Sequence, residues 1–174
     1  MNIFILDEDP VIAARMLCDR HIPKMIVESA QMLSTAHRLL DGSPTKRRSR
    51  SGKTIQTYYE FKDMRDELYY TAVHKHHPCT TWTMASIENY NWHYGHFAEM
   101  SKEFTFRRQK KHATWEKIGM ILAAPPINIP KIKRTEFAQA MSHYPECKVE
   151  GDAVQAYRNS VSYTHLTLPT TPYV

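Results

Sequence analysis

Apolar residues recur along most of this chain at the three-to-four-residue interval of an amphipathic helix, and breaks in that rhythm divide it into segments. The opening run "NIFILD" is apolar without helical spacing and suits one short strand. Asp9 followed by Pro10 reads as an N-cap with proline in the first turn, starting a short helix to about Cys18. From Pro23, the residues Ile26, Ala30, Leu33, Ala36 and Leu40 keep helical register until Asp41-Gly42 stops the helix. A further helix is expected around Asp63 to Ala72. A long one follows from about Thr80 to Arg108, with Trp82, Ala85, Tyr90, Tyr94, Phe97, Met100 and Phe104 on its register. That segment is expected to be the central helix. Another, roughly Ala113 to Ala123, ends at Pro125-Pro126, extended "INIPKIKRTEF" follows, and a last helix begins around Asp152. The pattern predicts a mainly α, compact single helical domain over residues 1–160, with a short N-terminal strand at most.

Two stretches depart from the rhythm. Residues 43–56, "SPTKRRSRSGKTIQ", carry Lys46, Arg47, Arg48, Arg50 and Lys53, no acid and almost nothing apolar, which predicts an exposed flexible loop. Basic residues interleaved with Ser and Thr suit phosphate contacts. At the other end, "VSYTHLTLPTTPYV" (161–174) has no charged residue, although the chain holds 23 Lys and Arg and 18 Asp and Glu. It resembles the conceptual translation of a sequencing adapter, so the natural protein is expected to end near Ser160, inside the last helix.

Composition narrows the function classes. The net charge of +5 and a pI near 9.1 lean toward a polyanionic partner. Cys18, Cys79 and Cys147 form no CxxC pair, which suggests neither a disulfide framework nor a zinc finger and fits a reducing cytoplasm. No window has the ~18 apolar residues of a membrane span, and the N-terminus lacks the basic region of an export signal. No membrane partner is expected.

The helix from Pro23 has two faces. Ile22, Ile26, Leu33 and Leu40 form the apolar one, whereas His21, Lys24, Glu28, Gln31 and Thr35 share the other. The plain reading is a solvated face with Lys24 and Glu28 as an i,i+4 ion pair. Met32 and Leu39 fall in the same stripe, however, which suggests a partly covered face, where a carboxylate with apolar neighbours is a candidate for acid–base work. A rival constellation is made of histidines. His74, His76 and His77 precede Pro78, and His93 and His96 lie on the long helix with Glu99 and Glu103 on the following turns. Imidazoles with carboxylates can hold a metal that activates water, but this spacing matches no metal signature, and His76 or His77 could equally contact phosphate. Cys79 at a helix start has no placed base and is assigned no nucleophilic role.

Two resemblances enter at these residues. Across nearly all of 1–160, "MNIFILDEDP", "CDRHIPKM", "HHPCTTW" and "FAQAM" resemble the motifs of a widespread group of small uncharacterised phage proteins, which implies a phage origin. The pattern Asp19, His21, Glu28 is also similar to that of phage endonuclease V-type pyrimidine-dimer DNA glycosylases, over about a third of the chain. That resemblance implies displacement of a nucleotide from the duplex, attack of the N-terminal α-amine on the sugar C1′ to give a Schiff base, and a Glu that stabilises the cationic sugar and shuttles protons. An α-amine keeps a larger neutral fraction near physiological pH than a lysine does. The family exposes its amine on a small residue after removal of Met, whereas Asn2 is large enough for Met1 to stay. Either the Met1 amine acts, or Glu28 activates water without a covalent partner, or Lys24 substitutes.

The sequence therefore predicts a cofactor-free DNA glycosylase, with or without lyase activity, acting on damaged or modified pyrimidines of double-stranded DNA in the host cytoplasm. Glu28, His21 and Met1 are the expected catalytic residues. Lys24, Arg20, Lys46, Arg47, Arg48, Arg50, Lys53, His76 and His77 are expected on DNA. The alternatives are a metal-dependent nucleotide or DNA phosphohydrolase using His76, His77, His93 and His96, and a noncatalytic DNA-binding accessory protein in which Glu28 merely pairs with Lys24.

Overall fold

The computed structural model describes residues 1–49 and 51–166; Arg50 and positions 167–174 of the proposed adapter segment lie outside them. Among the described residues six α-helices run in the order α1 (Pro10–Arg15), α2 (His21–Asp41), α3 (Arg65–Leu68), α4 (Pro78–Ala85), α5 (Ile87–Arg108) and α6 (Ala153–Leu166). A two-stranded antiparallel sheet, β1 (Ser43–Arg48) and β2 (Ile55–Glu60), follows α2. About 52% of the described residues are helical, π and 3₁₀ turns included, and the stretch between Ala124 and Ala153 is mostly irregular. No helix among the described residues is long and apolar enough to cross a membrane.

The buried spine is α2. From Met32 to Arg38 every residue is buried, because α4 and α5 cover its apolar face while the 69–77 segment covers the face expected to be polar. Thr35, completely buried there, accepts a hydrogen bond from Val73 N at 3.1 Å. The expected long helix from Thr80 is broken at Ser86, whose extended backbone (φ −155°, ψ 158°) lets its hydroxyl cap α5 by accepting from Asn89 N. Asn89 then holds the extended segment, donating to Thr135 Oγ1 at 2.8 Å and accepting from Thr135 N at 3.0 Å.

Four further expectations are corrected. "NIFILD" forms no strand: Ile3, Ile5 and Leu6 are buried, but Phe4 sits at φ 54° and no second strand pairs with the run. The basic "loop" is the β1–β2 hairpin, registered from Ser43↔Glu60 to Arg48↔Ile55, its ladder supplying the order that no apolar alternation signalled. The Asp63–Ala72 helix shrinks to α3, since Arg38 claims the carbonyls of Asp66, Tyr69 and Tyr70. The segment near Ala113–Ala123 is a π-turn (Trp115–Gly119) and a 3₁₀ turn (Ile121–Ala123). In that π-turn a side chain at Gly119 would collide with the Trp115 ring.

Arg38 joins these parts. Its buried guanidinium donates to Asp66 Oδ1 and to the Tyr59 carbonyl, both at 2.7 Å, besides the three carbonyls of the α3 region. Every donor of the fork is thereby used, which is how a buried cation repays its desolvation. The base of the hairpin is thus fixed to α2, while the strands project as an exposed arm.

Candidate functional site

The first two residues are drawn into the protein and stop against Glu28. Asn2 N donates to Glu28 Oε2 at 3.0 Å, and the α-nitrogen of Met1 lies 3.5 Å from the same oxygen. Lys24 Nζ stands 3.7 Å from Oε1, one helical turn back. The Asn2 side chain completes the anchor by donating to the Ala140 carbonyl at 3.2 Å and accepting from Ile3 N at 2.8 Å and Cys79 Sγ at 3.6 Å. The Glu28 side chain is only 13% exposed and that of Lys24 71%, so the carboxylate is covered and its lysine reaches into solvent. This is an amine and a carboxylate held together with one open side.

His77 borders the pair. It caps α4, its Nδ1 accepting from Cys79 N at 3.2 Å. Burial lowers its pKa and the nearby N-terminal ammonium lowers it further, against a smaller opposing pull from Glu28. The ring therefore stands neutral. Cys79 behind it is a core thiol, pushed up to about 11 by burial, and its hydroxyl neighbour is Tyr157. His21, two turns from Glu28 on α2, stacks on Phe4 with centroids 5.2 Å apart and planes 13° apart.

Of the sequence-predicted residues, Met1, Glu28, Lys24 and His77 meet at this centre. Asp19 does not belong to it: its carboxylate pairs with Arg107 at 3.0 Å, at the far end of α5. Arg20 is exposed at the N-cap of α2, and His76 is exposed beside His77. Lys46, Arg47, Arg48 and Lys53 are exposed on the hairpin, where Arg47 pairs with Glu60 at 2.9 Å and lies 4.1 Å over the Tyr58 ring. Lys75 Nζ sits 5.5 Å above Tyr59, so β2 adjoins the 72–75 segment.

Comparison of the chain with family models, with curated proteins and with solved structures finds no match. Its chemistry is read from the site alone.

The histidine constellation does not assemble. His93 and His96 are fully buried, and burial lowers both to about 3. His93 Nδ1 bonds Thr83 Oγ1 at 2.8 Å, and His96 stacks on Trp92. Glu99 turns away to Arg15 and Lys102. No three of His, Cys, Asp and Glu come together as metal donors among the described residues, so the histidine-based hydrolase has no donor set to stand on. Sequence reasoning missed Asn2, which positions the amine, and the "FAQAM" carbonyl that anchors it. Neither carries a local signal, because both act across more than 70 residues of chain.

Proposed function

We propose that this protein is a DNA glycosylase acting on damaged or modified pyrimidines, with the Met1 α-amine as nucleophile and Glu28 as its acid–base partner. The observation that carries the reading is the 3.5 Å separation of the Met1 nitrogen from Glu28 Oε2. A mere N-terminal anchor would need only one hydrogen bond, and Asn2 N already makes it to the same carboxylate.

The chemistry follows from these groups. Glu28 takes the proton that the α-ammonium must shed, and the freed lone pair bonds to C1′ of a displaced nucleotide. The C1′–N bond to the base breaks, the base keeping the electron pair and taking back the proton that Glu28 holds. The ring oxygen then leaves C1′ as a hydroxyl, taking one proton from the bound nitrogen by way of Glu28, and a protonated Schiff base remains. Neutral His77 adds no positive charge against the cationic sugar, and the amine already next to the carboxylate removes the entropy of bringing them together. Lys24, Arg20, His76 and the hairpin cations supply phosphate contacts that fix the register of the duplex without reading its sequence.

The reading is tested in EDTA on duplexes carrying one thymine dimer, one thymine glycol or one abasic site. Base release or strand cleavage is expected with wild type, with loss in Glu28→Gln. Salt-dependent binding without release from any duplex, unchanged by Glu28→Gln, would instead mark a noncatalytic DNA-binding protein.

A further inference from the structure

The last turns of α5 and the π-turn that follows border a shallow apolar groove of about 340 Å³, lined by Ser101, Lys102, Thr105, Phe106, Lys111 and Trp115. We infer that this groove docks an acidic protein segment, taking up one bulky apolar side chain against Phe106 and Trp115 while the surrounding lysines hold its carboxylates. The inference is independent of the amine chemistry proposed above.

Three observations point to that occupant. The first is a fixed apolar wall. Phe106 is 75% exposed, yet the end of α5 beneath it is closed: Gln109 turns to φ 53° as the C-cap, and its side-chain amide donates to the Phe106 carbonyl at 2.7 Å. Trp115 packs on Phe97 with centroids 5.4 Å apart, in the π-turn where Gly119 leaves room for the indole. A single exposed phenylalanine is ordinary, whereas one that shares a groove with a held tryptophan has the make-up of an interface core. The second is that the hydroxyls of the lining are already used. Ser101 Oγ donates to the Phe97 carbonyl and Thr105 Oγ1 to that of Ser101, both at 2.9 Å. Their protons turn into the helix, so neither donates to the polar edge of a nucleotide base, and an apolar side chain fits the groove better. The third is charge. No carboxylate lines the groove. Between residues 102 and 117 stand Lys102, Arg107, Arg108, Lys110, Lys111 and Lys117 against only Glu103 and Glu116, and Glu103 is held by Arg15 and Arg107. The C-terminal end of α5 contributes about half an elementary negative charge, which these cations outweigh. An acidic segment would set its anchor in the apolar centre and its carboxylates on the basic rim.

The experiment titrates the full chain into a fluorescein-labelled synthetic peptide, a run of aspartates ending in leucine and phenylalanine, and follows anisotropy. Saturable binding is expected. Phe106→Ala should weaken it about tenfold, the loss of a central apolar anchor, and Lys102→Glu combined with Lys111→Glu about tenfold by charge reversal. Serine in place of the peptide's leucine and phenylalanine should also cost about tenfold. In isotope-labelled protein the peptide should shift the Trp115 indole N–H resonance, identified as the one missing from Trp115→Phe, and leave those of buried Trp82 and Trp92 in place. The serine peptide and the Trp115 resonance are read on wild-type protein, so they decide even where a variant is destabilised. No saturable binding, equal binding of the serine peptide, an unmoved Trp115 resonance, or binding indifferent to Phe106→Ala in a folded variant would overturn the inference. So would oligothymidylate that displaces the peptide and is itself bound about tenfold more weakly by Phe106→Ala, a result that would make the groove a site for single-stranded nucleic acid.

Discussion

Glu28 and Glu99 invite comparison because they are nearly the same by burial and opposite by partner. Their side chains are 13% and 7% exposed, and each faces two cations. Glu99 holds Arg15 at 2.9 Å and Lys102 at 3.1 Å, and those two cations lower its pKa against the upward push of burial. Glu28 stands at 3.5 and 3.7 Å from the Met1 amine and Lys24. A guanidinium cannot give up its proton near neutrality, so the Glu99 cluster only ties α1 to α5. An α-amine can, and a cavity opens beside it. A covered carboxylate becomes a candidate catalyst through what it touches, not through its burial.

The largest expected effect separates the two directly. Glu28→Gln is expected to lower single-turnover base release by about 10²–10⁴-fold, the usual worth of a positioned acid–base group. Glu99→Gln should leave that rate within about twofold and cost about 1 kcal/mol or less of stability, because its partners are solvent-exposed. Equal losses in both would erase the distinction.

A buried charge whose role is architecture alone sharpens it next. Arg38→Met strands Asp66 and four carbonyls, and should cost about 3–5 kcal/mol in denaturant unfolding. A protein that unfolds within 1 kcal/mol of wild type, an order-of-magnitude bound for an unimportant contact, would show that the hub is not what fixes the hairpin.

Acid tests the neutral interior against the ionised site. Burial lowers His93 and His96 to about 3 and His37 to about 4, from 6.5. The unfolded chain binds these protons near pH 6.5 and the folded protein does not, so stability is full above that value and is lost as pH falls, down to about 4 for His37 and about 3 for His93 and His96. Each histidine should cost about 2 kcal/mol by pH 5. Replacing His96 by Phe should flatten the pH dependence of the unfolding midpoint by about one proton; no change in slope would contradict the burial.

The smallest effect belongs to the hairpin. Removing Arg48 and Lys53 together should make the salt dependence of duplex binding shallower by about two in log–log slope, leaving base release at saturation unchanged. A rate loss at saturating DNA would assign the arm more than phosphate contact.

The same contrast explains what the sequence disclosed. α2 and the covered stripe around Glu28 were legible, since apolar residues at strict helical spacing mark one face and Met32 betrays the other. The hairpin was not, because both faces of β1 are exposed and no alternation is imposed on them. "NIFILD" has the composition of a strand but no partner, and pairing is a property of the fold. At the site, Glu28 could be picked from its helix, and Met1 only through the family resemblance. Asn2 and the carbonyl of Ala140 could not, as nothing local ties residue 2 to residue 140.

The central claim is that the amine beside Glu28 is the nucleophile. Borohydride reduction of wild type on an abasic duplex, followed by peptide mapping by mass spectrometry, tests it most directly. An adduct on the Met1 nitrogen, abolished by N-terminal modification, is the expected result. An adduct on Lys24, or none from a protein that binds the duplex, would contradict it.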